Sequence, residues 1–502
     1  LIIGGGITGA GILREAARRG LTAALMEQRD FAWGTSSRTS KMVHGGLRYL
    51  MLGNWRLTRT SVRERERLLR EAPGLVDPLG FLFGAYRRRI PGHWSFSLLL
   101  TVYDLFAGRR THAYYPAHDF KLLAPHIRAE GLKGGARCID AVTDDARLVF
   151  RVIREAERDG ALALNYARAE ALLKQGGRVR GVSVRDALTG KTAEVRARAV
   201  VNATGAWADR LRKQVGGPEE IRPLRGSHLV FPFWRIPVAQ AVALLHPEDR
   251  RAVFITPWDC VTVVGTTDLD HEEGIDSEAC IAPEEIAYLL EAVQDRFPSL
   301  GITRGDILST YAGIRPVIAG GALDPSREKR DHKIWEENGL ISVSGGKLTT
   351  FRFIALDVLR RAAPFLPSLS PQDTGKPVFR APQAPEGGRL DHFARRRLLG
   401  RFGADAVGVV NAAEDGELSR IPCTDTLWAE LRWAARRESV AHLEDLLLRR
   451  TRLGLLLPQG AAGLSDRIRT LCREELGWDE NQWQREWDSY RALWQNHYSL
   501  PK

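Results

Sequence analysis

The segment Leu1-Ile2-Ile3-Gly4-Gly5-Gly6-Ile7-Thr8-Gly9 decides the fold, together with Ala10, Leu13, Ala16 and Ala17, then Leu21 to Met26 and Glu27. The first three residues read as the end of a buried strand. The alanine and leucine spacing reads as one apolar face of a helix, which Gly20 stops as a left-handed cap. Leu21 to Met26 reads as a second strand. Gly4-x-Gly6-x-x-Gly9 therefore sits in a strand–turn–helix context. There the first glycine allows a tight turn, the second lets backbone approach a diphosphate, and the third lets helix and strand pack closely. The helix N-terminus adds N–H donors and a positive dipole end. Glu27 lies about 20 residues on, where an acid accepts hydrogen bonds from ribose hydroxyls. This combination implies a bound dinucleotide and argues against a 2′-phosphate, but separates NAD from FAD poorly. A strand of three residues is short, so a few upstream residues are expected to be missing. No signal peptide is visible.

Moving outward, Gly34 to Lys41 is a polar, hydroxyl-rich loop. The N–H and O–H groups of Thr35, Ser36, Ser37 and Ser40 can reach phosphate and the far side of a longer cofactor, which favours FAD. His44-Gly45-Gly46-Leu47-Arg48-Tyr49 comes next. A charged helix is expected over Trp55 to Glu71, with Arg63-Glu64-Arg65-Glu66-Arg67 as an exposed face. Pro73 to about Lys133 reads as irregular. Asp144 reads as the N-cap of a helix running to about Arg158. Gly176-Gly177 reads as a hairpin turn, and Ala199 to Gly205 as a buried strand ending in a turn. Arg222 to Asp268 is strand-rich. Leu340 to Ser344 reads as a strand that breaks at Gly345-Gly346 and continues as a helix from about Leu348. The N–H groups of that turn can face a flavin carbonyl edge, where negative charge develops on reduction. Pro364 to Pro385 reads as a linker, and the chain beyond residue 388 as helices rich in Leu, Arg and Trp.

Composition bounds the class. With 502 residues, 44% hydrophobic and 27% charged, the chain suits two or three globular domains. A net charge of +12 points to nucleic acid, an anionic membrane surface or anionic small molecules. No run of basic and aromatic residues on a recognisable nucleic-acid fold supports the first. The 5 cysteines are widely spaced and form no C-x-x-C, against a disulfide framework and against a structural metal; a reducing compartment is the natural home. The most apolar stretch, Trp94 to Phe106, contains Asp104 and is too short to span a bilayer. It comes after Arg87-Arg88-Arg89, so an interfacial membrane contact and a core helix under a charged loop both remain open.

The whole chain resembles the FAD-dependent, respiratory glycerol-3-phosphate dehydrogenases, within the glycine-oxidase and D-amino-acid-oxidase-like flavoproteins. The glycine turn, Thr35-Ser36-Ser37, Ser40-Lys41, His44 to Leu50, Asp144 to Leu148, Asn202 to Gly205 and Gly226-Ser227-His228 carry the resemblance. So do Gly265-Thr266-Thr267-Asp268, Gly313 to Pro316, Gly345 to Thr350, Leu443 to Leu446 and Arg449-Arg450-Thr451-Arg452. It implies an α/β (α+β) fold: an FAD-binding Rossmann-like domain, an inserted antiparallel-sheet substrate subdomain and a helical C-terminal domain. The expected boundaries are 1–75, 140–215 and 336–365 for FAD binding, 76–139 and 216–335 for substrate, 366–387 as linker and 388–502 for the helical domain.

The implied reaction is oxidation of sn-glycerol 3-phosphate to dihydroxyacetone phosphate, by hydride transfer from C2 to FAD, with electrons passed to membrane quinone. The implied location is cytoplasmic, peripheral on the inner face of the membrane; a homodimer is left open. Gly4, Gly6, Gly9, Glu27, Thr35, Ser36, Ser37, Ser40, Lys41, Gly45, Gly46, Leu47, Gly205, Gly346, Leu348 and Thr349 are the implied cofactor residues. Arg48, Tyr49, Thr267, Arg315 and Lys347 are the implied substrate ligands, because a phosphate needs fork-like cationic donors. His228, whose imidazole titrates near neutrality, is the candidate proton acceptor, with Arg315 and Lys347 as alternative stabilisers of an alkoxide. The rivals are a glycerol-3-phosphate oxidase using oxygen, a related FAD amine or amino-acid oxidase, and a nucleic-acid-binding module. Two departures from the family stand out: the short N-terminus and the Gly-rich segment from Ala319 to Arg330.

Overall fold

The computed structural model describes all residues except 52, 87–92, 321–330, 368–374, 384, 386–389 and 502, and all side chains of the described residues but those of 93–95. The Arg87-Arg88-Arg89 run, most of the atypical Gly-rich segment and part of the Pro-rich stretch lie outside the described residues.

The glycine turn does what its spacing dictates. Strand Ile2–Ile3 ends at Gly4, helix Ile7–Ala17 begins three residues later, and strand Ala24–Met26 returns parallel beside the first. Among the described residues these strands form the middle of a six-stranded sheet. Its order is His332–Glu337, Leu340–Gly345, Val200–Asn202, Ile2–Ile3, Ala24–Met26, Leu162–Leu164; all neighbours are parallel but the first pair. Helices Ile7–Ala17, Asp145–Arg158 and Phe351–Ala362 share one apolar core with it, through Leu13, Val149, Ile153, Ile354 and Val358. The Asp144 carboxylate accepts from the Arg147 N–H, so the expected N-cap is present. The Gly176-Gly177 turn joins strands Ala167–Gln175 and Arg178–Asp186.

A second, larger sheet is ten-stranded among the described residues and mostly antiparallel; strands Ile221–Pro232, Val261–Gly265, Ala252–Trp258 and Ser309–Ile318 lie in it. The helices beyond residue 388 keep one apolar cluster to themselves, around Leu398, Phe402, Val409 and Leu427, and share a second with the large sheet. Leu446, Leu447, Leu453, Leu456, Trp483 and Tyr490 pack with Val230, Trp258, Val263 and Tyr311 of this sheet.

Two expectations are corrected. Among its described residues the stretch from 73 to 133 carries regular elements: strand Val76–Tyr86, helix His93–Ala107, strand Ala113–Pro116, helix Ala117–Leu123, and the start of strand Leu132–Thr143. Pro78, Gly80 and Gly84 break the local strand signal. The strand exists because it pairs with Leu132–Thr143, from Tyr86 with Leu132 to Val76 with Thr143, far along the chain. Pro78 falls outside Phe81–Phe83, the part that also pairs on its other side.

Nor is the Arg63 to Arg67 run wholly an exposed face. Helix Trp55–Glu71 forms as expected, but Ser61, Val62, Arg65 and Leu68 lie on its buried side at helical spacing. Arg65 is 0% exposed, and its Nη1 donates to Asp140 Oδ1 at 2.5 Å and to Tyr103 Oη at 3.1 Å. Removing one partner of a buried pair leaves an uncompensated charge, so Arg65→Met is expected to destabilise by about 3–5 kcal/mol. Exposed Arg63→Met is expected to stay within about 0.5 kcal/mol. Urea unfolding of both variants checks the contrast; equal midpoints would contradict it.

Candidate functional site

The cleft opens where the two central parallel strands end. Helix Ile7–Ala17 points its N-terminus into it, and the Ile7 N–H donates to Ser36 Oγ at 2.9 Å, which ties the hydroxyl loop to the glycine turn. A Cβ on Gly9 would collide with the Gly4 carbonyl oxygen, so only hydrogen fits at the helix–strand contact. Glu27 accepts from the Gly5 N–H at 2.6 Å and the Arg29 N–H at 3.0 Å. Burial holds its carboxyl above the usual range against these donors.

A continuous cavity of about 380 Å³ runs past these groups. Gln28, Arg168 and Gln214 line it, with Gly4, Gly6, Thr8, Thr35 and Ser36 around the glycine turn, and Gly205, Pro316, Gly346, Lys347 and Leu348. A cleft with a helix N-terminus and backbone N–H groups in its wall fits a dinucleotide whose diphosphate lies against them. Trp33, Arg168, Trp207, Arg210 and Gln214 also line it and carry no motif; they come from scattered segments that only the fold gathers.

Not every expected cofactor residue faces this cleft. Ser37 is buried beside it. Lys41 is 0% exposed, and its ammonium donates to Asp145 and, at 2.7 Å, to Ser37 O. The expectation that the Lys41 side chain meets the cofactor is corrected: buried charge finds its partner inside, and burial pulls the ammonium down to about 7. Gly45 donates its N–H to Asp140 at 2.9 Å, Leu47 packs beside Leu50 and Val62, and Thr349 Oγ1 donates to His44 O at 3.3 Å.

The large sheet supplies a second group of side chains. His228 faces Gly265 on one neighbouring strand and Tyr311 on the other, and Leu224 pairs with Arg315. A Cβ on Gly265 would collide with His228 Cδ2, and one on Gly226 would collide with Arg315 Nη2. The two glycines therefore make the room that the imidazole and the guanidinium occupy. His228 Nε2 lies 2.9 Å from Ser40 Oγ, and its ring stacks on Tyr311 at 4.5 Å. Burial, then Arg315, then Lys41 hold this imidazole well below its usual range, so it is neutral near pH 7.

Arg315 Nη1 donates to Asp268 Oδ1 at 2.8 Å and to Thr267 O at 3.1 Å, and Nη2 donates to Thr266 Oγ1 at 2.8 Å. The Thr267 hydroxyl is committed elsewhere: it donates to Glu285 at 2.6 Å and accepts from the Ser227 N–H at 2.8 Å. Thr267, an expected substrate ligand, thus turns its hydroxyl into the protein and offers its carbonyl oxygen to Arg315. Thr266, the residue just past the end of strand Val261–Gly265, brings its hydroxyl to the arginine instead. Lys347 Nζ sits 3.4 Å from the centre of the Tyr49 ring and 3.4 Å from Ser61 Oγ. Arg48 is exposed on the short helix Leu47–Met51. The structure thus joins His228 with Ser40, Arg315 with Thr266 and Asp268, and Lys347 with Tyr49. Pro316 and Lys347, which both line the cleft, bring the strand end carrying Arg315 to the lysine.

The chain matches the family model for FAD dependent oxidoreductases over residues 1–352. Residues 376–483 match the model for the C-terminal domain of alpha-glycerophosphate oxidase. It is 35% identical to glycerol-3-phosphate dehydrogenase 2 of Mycobacterium tuberculosis, over 98% of this chain and 87% of that protein. It is 33% identical to the aerobic glycerol-3-phosphate dehydrogenase of Staphylococcus haemolyticus, over 90% and 86%. The solved glycerol-3-phosphate dehydrogenase of Bacillus halodurans, complexed with FAD, superposes with a TM-score of 0.77 at 29% identity, over 98% of this chain and 94% of that one. With the dinucleotide cleft in place, these matches establish FAD as the cofactor, and the chain belongs to the FAD-dependent glycerol-3-phosphate dehydrogenases.

Proposed function

We propose that the protein oxidises sn-glycerol 3-phosphate to dihydroxyacetone phosphate. The observation that carries the reading is a neutral, buried His228 beside Arg315, whose chain neighbour Pro316 lines the FAD cleft together with Lys347. Bound FAD supplies a two-electron acceptor. Gly4, Gly6, Thr35, Ser36, Gly205, Gly346 and Leu348 line its place, and Glu27 meets the ribose. Arg315, oriented by Asp268 and Thr266, and Lys347, set on the Tyr49 ring, bind the substrate phosphate together with Arg48. His228 accepts the proton of the C2 hydroxyl as C2 is oxidised. A base must start unprotonated, and the environment of His228 keeps it so. The charge on Arg315 steadies the developing alkoxide.

The electrons, we propose, go to a membrane quinone. In support, Trp55, Leu98 and Leu105 are more than half exposed. Trp55, Leu105 and Phe106 share a groove with Arg56, Arg59 and Arg63. Apolar side chains among arginines suit an anionic lipid surface. Among the described residues no helix is long and apolar enough to cross a membrane.

Losing one charge-assisted contact removes about 1.5–3 kcal/mol. Arg315→Ala is therefore expected to weaken glycerol 3-phosphate binding roughly ten- to hundredfold; unchanged affinity in an equilibrium titration would remove Arg315 from the site. His228→Ala is expected to slow anaerobic flavin reduction far more than it weakens binding. Because the folded imidazole titrates below 6.5, kcat/KM of the wild type should hold on the acid side until the pH passes below that value. An acid limb at or above 6.5 would contradict the role. For the acceptor, turnover with quinone-loaded anionic vesicles should be fast and salt-sensitive, with little hydrogen peroxide in air. Stoichiometric peroxide without vesicle binding would make the protein an oxidase.

A further inference from the structure

The run Arg449-Arg450-Thr451-Arg452 takes no part in the proposed oxidation, yet its three guanidinium groups are buried. Arg449 and Arg450 both pair with Asp30. Arg452 goes elsewhere. Its Nη2 donates to Ser37 O at 2.6 Å and to Asp145 Oδ1 at 2.9 Å, and its Nη1 donates to Leu448 O at 2.6 Å. The guanidinium thus reaches from the C-terminal helices to the back of the hydroxyl loop.

Asp145 is the other half of this support. Its Oδ2 accepts from the Thr39 N–H and the Thr39 hydroxyl, both at 2.8 Å, and it holds Lys41 Nζ at 2.9 Å. The Tyr311 hydroxyl donates to Thr39 O at 2.9 Å. Ser37 O and both backbone groups of Thr39 are therefore held by Arg452, Lys41, Asp145 and Tyr311, none of which lines the cleft. Thr39 lines it, and Ser40 Oγ meets His228 Nε2.

We propose that Arg452 is a positioning residue for the flavin reaction. It acts through Ser37 O and Asp145 on the Thr39-Ser40 turn, and so on the direction in which the His228 imidazole points. A planar guanidinium bridges two acceptors at fixed angles, which neither an ammonium nor a thioether of similar length reproduces. The inference rests on the reading that His228 accepts the substrate proton.

The test uses FAD-loaded Arg452→Met and Arg452→Lys, with Arg432→Met as control. Arg432 is equally buried but pairs with Glu417 and Glu475 inside the C-terminal helices. Flavin reduction by glycerol 3-phosphate is followed anaerobically in single turnover, with Tm and substrate Kd measured beside it. Arg452→Met is expected to slow reduction about tenfold or more while Kd stays within about twofold, and Arg432→Met is expected to lower Tm without slowing reduction. Ser40→Ala should add little further loss on the Arg452→Met background, because both act on one imidazole. Should Arg452→Met fail to load FAD, Arg452→Lys carries the same comparison. Reduction as fast as in Arg432→Met, or fully additive losses with Ser40→Ala, would overturn the proposal. Normal reduction in His228→Ala would instead sink the proton-acceptor reading, and that variant leaves Arg452 untouched.

Discussion

The Asp145 carboxylate is the contact on which the site's geometry depends. It is fully buried at the start of helix Asp145–Arg158, a helix of the dinucleotide layer. It joins that layer to the hydroxyl loop through Thr39 and Lys41, and to the C-terminal helices through Arg452. A buried carboxylate is tolerable only if its lone pairs are met, and here Lys41, Arg452, Thr39 and the Ala146 N–H meet them. The same logic recurs nearby: Asp30 is held by Arg449 and Arg450, and Glu438 by Arg147. Three segments far apart in sequence are locked together by charge that has nowhere else to go.

This changes the meaning of the basic composition. Arg65, Arg147, Arg212, Arg449, Arg450 and Arg452 are among the largest fully buried side chains. Much of the arginine is structural, each residue answering a buried acid. One group of the remaining charges, Arg56, Arg59 and Arg63, sits in a groove beside exposed Trp55 and Leu105.

The reactive groups obey a different rule. His228 and Arg315 stand on neighbouring strands of the large sheet, and Gly265 and Gly226 leave out the Cβ atoms that would collide with them. Proximity of two cationic or titratable groups in a dry place drives the weaker base neutral, and His228 is that base. The glycine-containing segments around 226 and 265 thus serve two side chains rather than a turn.

The glycine turn, Glu27, the Asp144 cap, the helix over Trp55 to Glu71 and the strand before Gly345 were all legible in sequence, because each depends on spacing and local backbone chemistry. The dinucleotide cleft came with them, and the resemblance to known flavoproteins extended it to FAD. What lay beyond was non-local. Strand Val76–Tyr86 is held by a distant partner, Leu132–Thr143. Arg65 and Lys41 looked like surface or cofactor charges until the acids that bury them came into place. Thr266 and Thr267 are told apart only by their hydroxyl partners, Arg315 for one and Glu285 for the other, and Trp33, Arg168 and Gln214 meet only in the folded cleft. Local sequence determined the turns, caps and periodic faces, since those depend on a few adjacent residues. Which charge meets which acid, and which of two neighbours faces the site, depended on distances between segments, and only the tertiary structure sets those.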